Sequence, residues 1–152
     1  MALLALPNIL HMTSQLTSLE LQSLLQTPPL EEPEIIRRFY LMWTLKEAYT
    51  KALGLGLGFD FRRVEYDVIH DIVRIDGRSP RGWEFVRFEV DVIESGKENR
   101  YVGVACRYVG EAANRGKDSE CIVETRRVGE WLKVFEADEF VPRAVQELQS
   151  ET

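Results

Sequence analysis

The hydrophobic period of the chain changes at Gly58. Between residues 33 and 53 the apolar side chains follow a helical spacing. At 100° per residue Ile36, Tyr40 and Trp43 share one stripe, which runs on into Glu47 and Lys51 with Lys46 on its flank. Leu41, Leu45, Ala48 and Ala52 make a second stripe on the opposite side. A helix apolar on two sides is largely buried. Pro33, Glu32 and Glu34 suit its first turn, and Gly54 suits the left-handed residue that closes it. Upstream, Thr17 is followed three residues later by Glu20, the spacing of a capping box, which predicts a short helix over 18–26 stopped by "TPP". Beyond Gly58 the period is two. "RRVEYDVI" and "DIVRID" read as strands joined by a tight turn near His70. "WEFVRFEVDVI" and "YVGVACRYV" read as strands joined by the turn "ESGKENR", and "CIVETRRV" as a further strand. "ADEFVPRAVQELQ" predicts a terminal helix from Ala137 despite Pro142. The expectation is one α+β unit over residues 17–150, a long helix packed on an antiparallel sheet, behind a leader of residues 1–16 with no clear period.

Composition narrows what such a unit can do. The 152 residues suffice for one domain with a real core, and 45% apolar with 29% charged residues are globular values. A net charge of −6 excludes the broad basic face that nucleic-acid binding needs. Cys106 and Cys121 stand far apart, which gives no metal knuckle and predicts a reducing, cytoplasmic compartment. The apolar start "MALLALPNILHM" lacks a basic region and a cleavage site and is interrupted by Pro7, so it does not read as a signal peptide. No stretch approaches the roughly 20 apolar residues of a membrane span.

The candidate chemistry lies where the long helix ends. Gly54, Gly56 and Gly58 close a helix instead of opening one, so a dinucleotide loop is excluded. One glycine serves the cap; three suggest backbone that passes close to a ligand or another chain. Glu47 and Lys51 could be a solvated i,i+4 pair worth a few tenths of a kcal/mol. They share a stripe with Tyr40 and Trp43, however, and a carboxylate at the edge of buried apolar surface needs a partner. A hard cation such as Mg²⁺, shared with a substrate phosphate, would serve.

These residues also carry a resemblance. "FYLMWTLKEAYTKALGLGL" resembles the signature W-x-x-K-E-x-x-x-K-x-x-G-x-G-L of the 4′-phosphopantetheinyl transferases, matched by Trp43, Lys46, Glu47, Lys51, Gly54, Gly56 and Leu57. The likeness extends over roughly residues 17–109, and more weakly over the tail to about 150, and is to the C-terminal half of the two-lobed enzymes that activate surfactin synthetase or aminoadipate-semialdehyde dehydrogenase, in a fungal style. It implies transfer of phosphopantetheine from coenzyme A to a carrier-protein serine, with release of 3′,5′-ADP. It implies Glu47 as a Mg²⁺ ligand and a candidate base for the serine, with Lys51 as its catalytic partner. It implies that Lys46 and Lys51 hold the diphosphate, that Trp43 packs beside the site, and that Gly54 and Gly56 lie against coenzyme A. The implied partners are an acyl or peptidyl carrier protein or the carrier domain of an aminoadipate reductase.

The chain departs from the two-lobed pattern in one respect. The first half of those enzymes brings a G-x-D-x-E motif and an S-H motif, and neither stands upstream of the signature here. "GFDF" at 58–61 follows the signature helix, so Asp60 reads as structural. The expectation is a half-site, completed by an N-terminal lobe or a second copy. The alternative is an inactive lobe that binds carrier proteins or a partner lobe. A gene-model fragment or an excised domain would carry the same sequence.

Overall fold

The computed structural model describes residues 12–94, 96–110, 120–127, 129 and 137–150. They form helices α1 (Ser18–Leu24), α2 (Glu32–Leu53) and α3 (Ala137–Ser150), and strands β1 (Val64–Asp67), β2 (Ile72–Ile75), β3 (Trp83–Glu94), β4 (Lys97–Tyr108) and β5 (Cys121–Thr125). The expected capping box is present: the Thr17 hydroxyl accepts from the Glu20 amide, and the Glu20 carboxylate accepts from the Thr17 amide. Gly54 closes α2 at φ 70°, in the left-handed region. β4 begins at Lys97, inside the stretch expected to be a turn. α3 continues through Pro142.

The α+β class agrees with the sequence reading, but the sheet is not wholly antiparallel. Its order is β1-β2-β5-β3-β4. β5 runs antiparallel to β2 and parallel to β3, with Phe85 opposite Val123. β3 and β4 form a ribbon from Trp83↔Tyr108 to Glu94↔Lys97. Along it Gly103 lies under the ring of Phe88, where a Cβ would come within 2.6 Å of the ring.

α2 packs across the sheet, chiefly on β4, with α1 beside it. The buried stripe of α2 is Ile35, Phe39, Met42, Lys46 and Tyr49, with Leu41 and Leu45 adjoining it. The two expected stripes are therefore displaced. Tyr40 is exposed, Trp43 and Glu47 are half-buried, and Ala52 is exposed. The displacement comes from Lys46, whose charge conceals a core position in the sequence.

A polar knot joins β1, the turn before β2, β3 and β5. The Tyr66 hydroxyl donates to Asp71 Oδ1 (2.6 Å), and Arg87 donates to the same oxygen (2.9 Å) and to Thr125 Oγ1 (2.8 Å). Arg87→Ala strands a partly buried carboxylate on Asp71 and is expected to lower stability by about 2–3 kcal/mol, read as the shift of a urea unfolding curve. A loss under about 0.5 kcal/mol would show that the knot contributes nothing.

Both cysteines are free, and burial pushes each thiol from 9.0 up to about 11. The thiolate fraction at pH 8 is thus about 100-fold below that of an open thiol, so native alkylation by iodoacetamide is expected to be slowed at least that much. The folded-state value is the raised one. The two thiols therefore favour the folded state fully below about pH 9, and that contribution is lost as pH rises towards 11. Alkylation of native protein at the rate of an unfolded control would refute the burial argument.

Candidate active site at the end of the second helix

Trp43, Glu47 and Lys51 recur every fourth residue on α2 and so stand one turn above another. After the Gly54 cap the chain makes a short turn over Gly56–Gly58 and returns past α2 with Phe59 and Phe61. Between these segments lies a cavity of about 360 Å³, lined by Gln15, Trp43, Glu47, Thr50, Lys51, Gly56, Phe59 and Phe61. Its walls are aromatic, with Trp43 set edge-on to Phe61 at 5.2 Å. The charges sit at its mouth. Glu47 Oε2 is 3.4 Å from Lys51 Nζ, the glutamate side chain 31% exposed and the lysine 77%. The pair is therefore loosely held, and Lys51 is free to move toward an anion.

The structure thus brings Trp43, Glu47, Lys51 and Gly56 together, with Gly54 at the adjoining cap. Lys46, which the resemblance sets beside Lys51 on the diphosphate, is not among the residues that line this cavity. Its side chain is fully buried, with Nζ 2.9 Å from Glu20 Oε2, and it donates to the carbonyls of Phe61 (2.9 Å) and Val64. Glu20 in turn accepts from the amides of Thr17 (2.7 Å) and Tyr66 (3.0 Å). Burial pushes the Glu20 carboxyl up and draws the Lys46 ammonium down, each shift opposed by the charge of the other.

Asp60, read from the sequence as structural, caps the short turn at Phe61–Arg63. It accepts from the Arg62 amide and pairs with the Arg62 guanidinium (3.0 Å), which holds its carboxyl below the usual carboxylate range. Gly56 has φ 59°, which favours glycine, whereas Gly58 has no such φ, and a Cβ there would meet nothing within 4 Å. Among the described residues nothing explains Gly58. Gln15, Thr50, Phe59 and Phe61 were not anticipated in the lining. The period of two after Gly58 hid the last two, and the turn before α1 carries no motif.

Glu47 offers one carboxylate to a cation, and among the described residues no group of three His, Cys, Asp or Glu side chains converges on a point. One carboxylate completed by phosphate oxygens and water is a usual donor set for Mg²⁺, so Glu47 fits as a partial ligand. Among the described residues no helix is long and apolar enough to cross a membrane.

Known proteins resemble the chain across this region. The 4′-phosphopantetheinyl transferase superfamily model matches residues 7–105, starting ahead of Thr17. The 4′-phosphopantetheinyl transferase pptA of Paxillus involutus is 49% identical over 136 residues, covering 90% of this chain and 46% of that protein. The mouse L-aminoadipate-semialdehyde dehydrogenase-phosphopantetheinyl transferase is 35% identical over 80 residues, covering 45% of this chain and 24% of that protein. The chain spans less than half the length of these relatives. No solved structure matches it significantly. With the family model covering most of its length and the pocket built from the signature helix, the chain belongs to the 4′-phosphopantetheinyl transferase superfamily.

Proposed function

We propose that this lobe contributes the signature half of a transferase that moves 4′-phosphopantetheine from coenzyme A to a carrier-protein serine. The serine oxygen attacks the β-phosphorus, the bond to the leaving 3′,5′-ADP breaks, and the serine proton passes to a base. The observation that carries the reading is Glu47 and Lys51, one turn apart, at the mouth of an aromatic pocket. Mg²⁺, when bound, would neutralise the diphosphate oxygens. Glu47, in the pocket lining and 31% exposed, would offer a carboxylate oxygen to that ion and would serve as the base that takes the serine proton. Lys51, on a flexible exposed stem, follows the diphosphate and neutralises the leaving oxygen. Trp43, Phe59 and Phe61 exclude water behind it, which strengthens both charge interactions. Gly54, Gly56 and Gly58 leave the rim bare, which suits close approach by coenzyme A or a completing lobe. The setting would be the cytoplasm, and the carrier an acyl or peptidyl carrier protein or an aminoadipate reductase carrier domain.

Among the described residues Glu47 is the one carboxylate that lines the pocket, which favours completion by an N-terminal lobe or a second copy. The same observation also favours a second reading, an inactive lobe that only binds carrier or partner. Mass spectrometry of an apo-carrier incubated with coenzyme A and Mg²⁺ separates them. The transferase reading expects slow or undetectable transfer by the chain alone and restored transfer when an N-terminal lobe is added in trans. No transfer in either case, with carrier binding retained, would replace it with the binding module.

A further inference from the structure

Three segments wall the pocket: the turn before α1, which brings Gln15; α2, which brings Trp43, Glu47 and Lys51; and the return segment, which brings Phe59 and Phe61. One buried ion pair reaches all three. Lys46 lies on α2, one residue before Glu47. Its ammonium donates to two carbonyls of the return path, Phe61 and Val64, and pairs with Glu20 of α1. Glu20 also fastens the Thr17 amide, at the end of the turn that carries Gln15, and the Tyr66 amide of β1.

An ammonium has three protons to donate. Here a carboxylate and two carbonyls take them, and the side chain has no exposed surface. For Lys46 to reach a phosphate, the buried Glu20 carboxylate would lose its counter-charge and the Phe61 and Val64 carbonyls would lose the ammonium donor, at the cost of uncompensated buried polar groups. We propose that Lys46 is a positioning residue: paired with Glu20, it fixes the Phe59–Phe61 wall and the turn before α1 against Glu47, and it does not touch substrate. The inference rests on the transferase reading only for the word substrate; the clamp itself is a property of the free chain.

The test therefore begins without substrate. Lys46→Met keeps the length of the side chain and removes its donors. Under fully native conditions the amides of Tyr66 and of residues 61–64 should exchange with solvent at least about tenfold faster. In protein labelled with 5-fluorotryptophan, the Trp43 resonance should shift, because Phe61 lies 5.2 Å from it, whereas Trp83, packed on Tyr49 and Tyr108, should keep its resonance. Unchanged exchange together with an unchanged Trp43 resonance overturns the proposal.

Wild-type protein gives the answer if the variant does not fold. In ¹⁵N-lysine spectra the Lys46 ammonium protons should exchange with water far more slowly than those of Lys51, and equal rates overturn the proposal. Addition of magnesium pyrophosphate should then move the Lys51 signal and leave that of Lys46 in place. A Lys46 signal that moves with Lys51 overturns the proposal. A Lys51 signal that does not respond refutes the diphosphate reading of the pocket while the exchange rates still decide the clamp.

Discussion

Glu47→Gln, introduced into the lobe and assayed with an N-terminal lobe in trans, is expected to reduce phosphopantetheine transfer by about 10³-fold or more, the scale of losing a metal ligand or a main charge-stabilising group. Glutamine keeps the volume of the side chain but removes its charge and its ability to accept a proton. The fold should be unaffected, because Glu47 is held to Lys51 by a loose contact of 3.4 Å, and an exposed i,i+4 pair contributes no more than about 0.5 kcal/mol. Lys51→Ala should lower transfer less severely, since the lysine neutralises charge without holding a ligand position. Arg87, a strand arginine, is unsuitable as a control because it ties Asp71 and Thr125 together. Arg107, exposed and paired with Glu84 away from the pocket, is suitable, and Arg107→Ala should leave transfer unchanged. The carrier is weighed by mass spectrometry for the added phosphopantetheine. Full transfer by Glu47→Gln would end the proposed mechanism.

Local signals in the sequence carried the elements well. Thr17 and Glu20 formed the capping box that their spacing implied, and α2 ended at Gly54 because only a left-handed residue closes it there. The period of two located β1 to β4, and "CIVETRRV" contained β5. The non-local facts stayed hidden. That β5 would slot between β2 and β3, parallel to the latter, depends on pairings between residues distant in sequence, which no local period records.

Lys46 is the instructive miss. Positions 35, 39, 42, 46 and 49 form a regular buried stripe, but a lysine at 46 made that stripe look interrupted and suggested a charged edge in its place. Its partner is visible in the sequence as well, because Glu20 stands at the capping-box position. A capping carboxylate can also serve as the counter-charge of a buried lysine, and only the packing of α1 on α2 shows that here. At the site, the signature identified one wall of the pocket, the α2 face with Trp43, Glu47 and Lys51. It did not identify Phe59, Phe61 and Gln15, which reach the cavity through chain reversal and not through spacing.

Glu20→Gln is expected to lower stability by about 3–5 kcal/mol, because removing one member of a buried ion pair leaves the other uncompensated. Against the 5–15 kcal/mol that holds a domain together, such a loss brings the protein to the edge of unfolding. The amide is also a poor acceptor for what surrounds it. The Thr17 and Tyr66 amides and the Lys46 ammonium all donate to this carboxylate, and glutamine presents one oxygen and a further donor. Adding Lys46→Met should relieve the uncompensated charge, so the double variant should lose less than the sum of the two single losses, by about 1–3 kcal/mol. Urea unfolding of the wild type, both single variants and the double variant closes the cycle, with equal m-values required for the comparison. Additive losses would mean that Glu20 acts only as a helix cap and that the charge on Lys46 is compensated by another group.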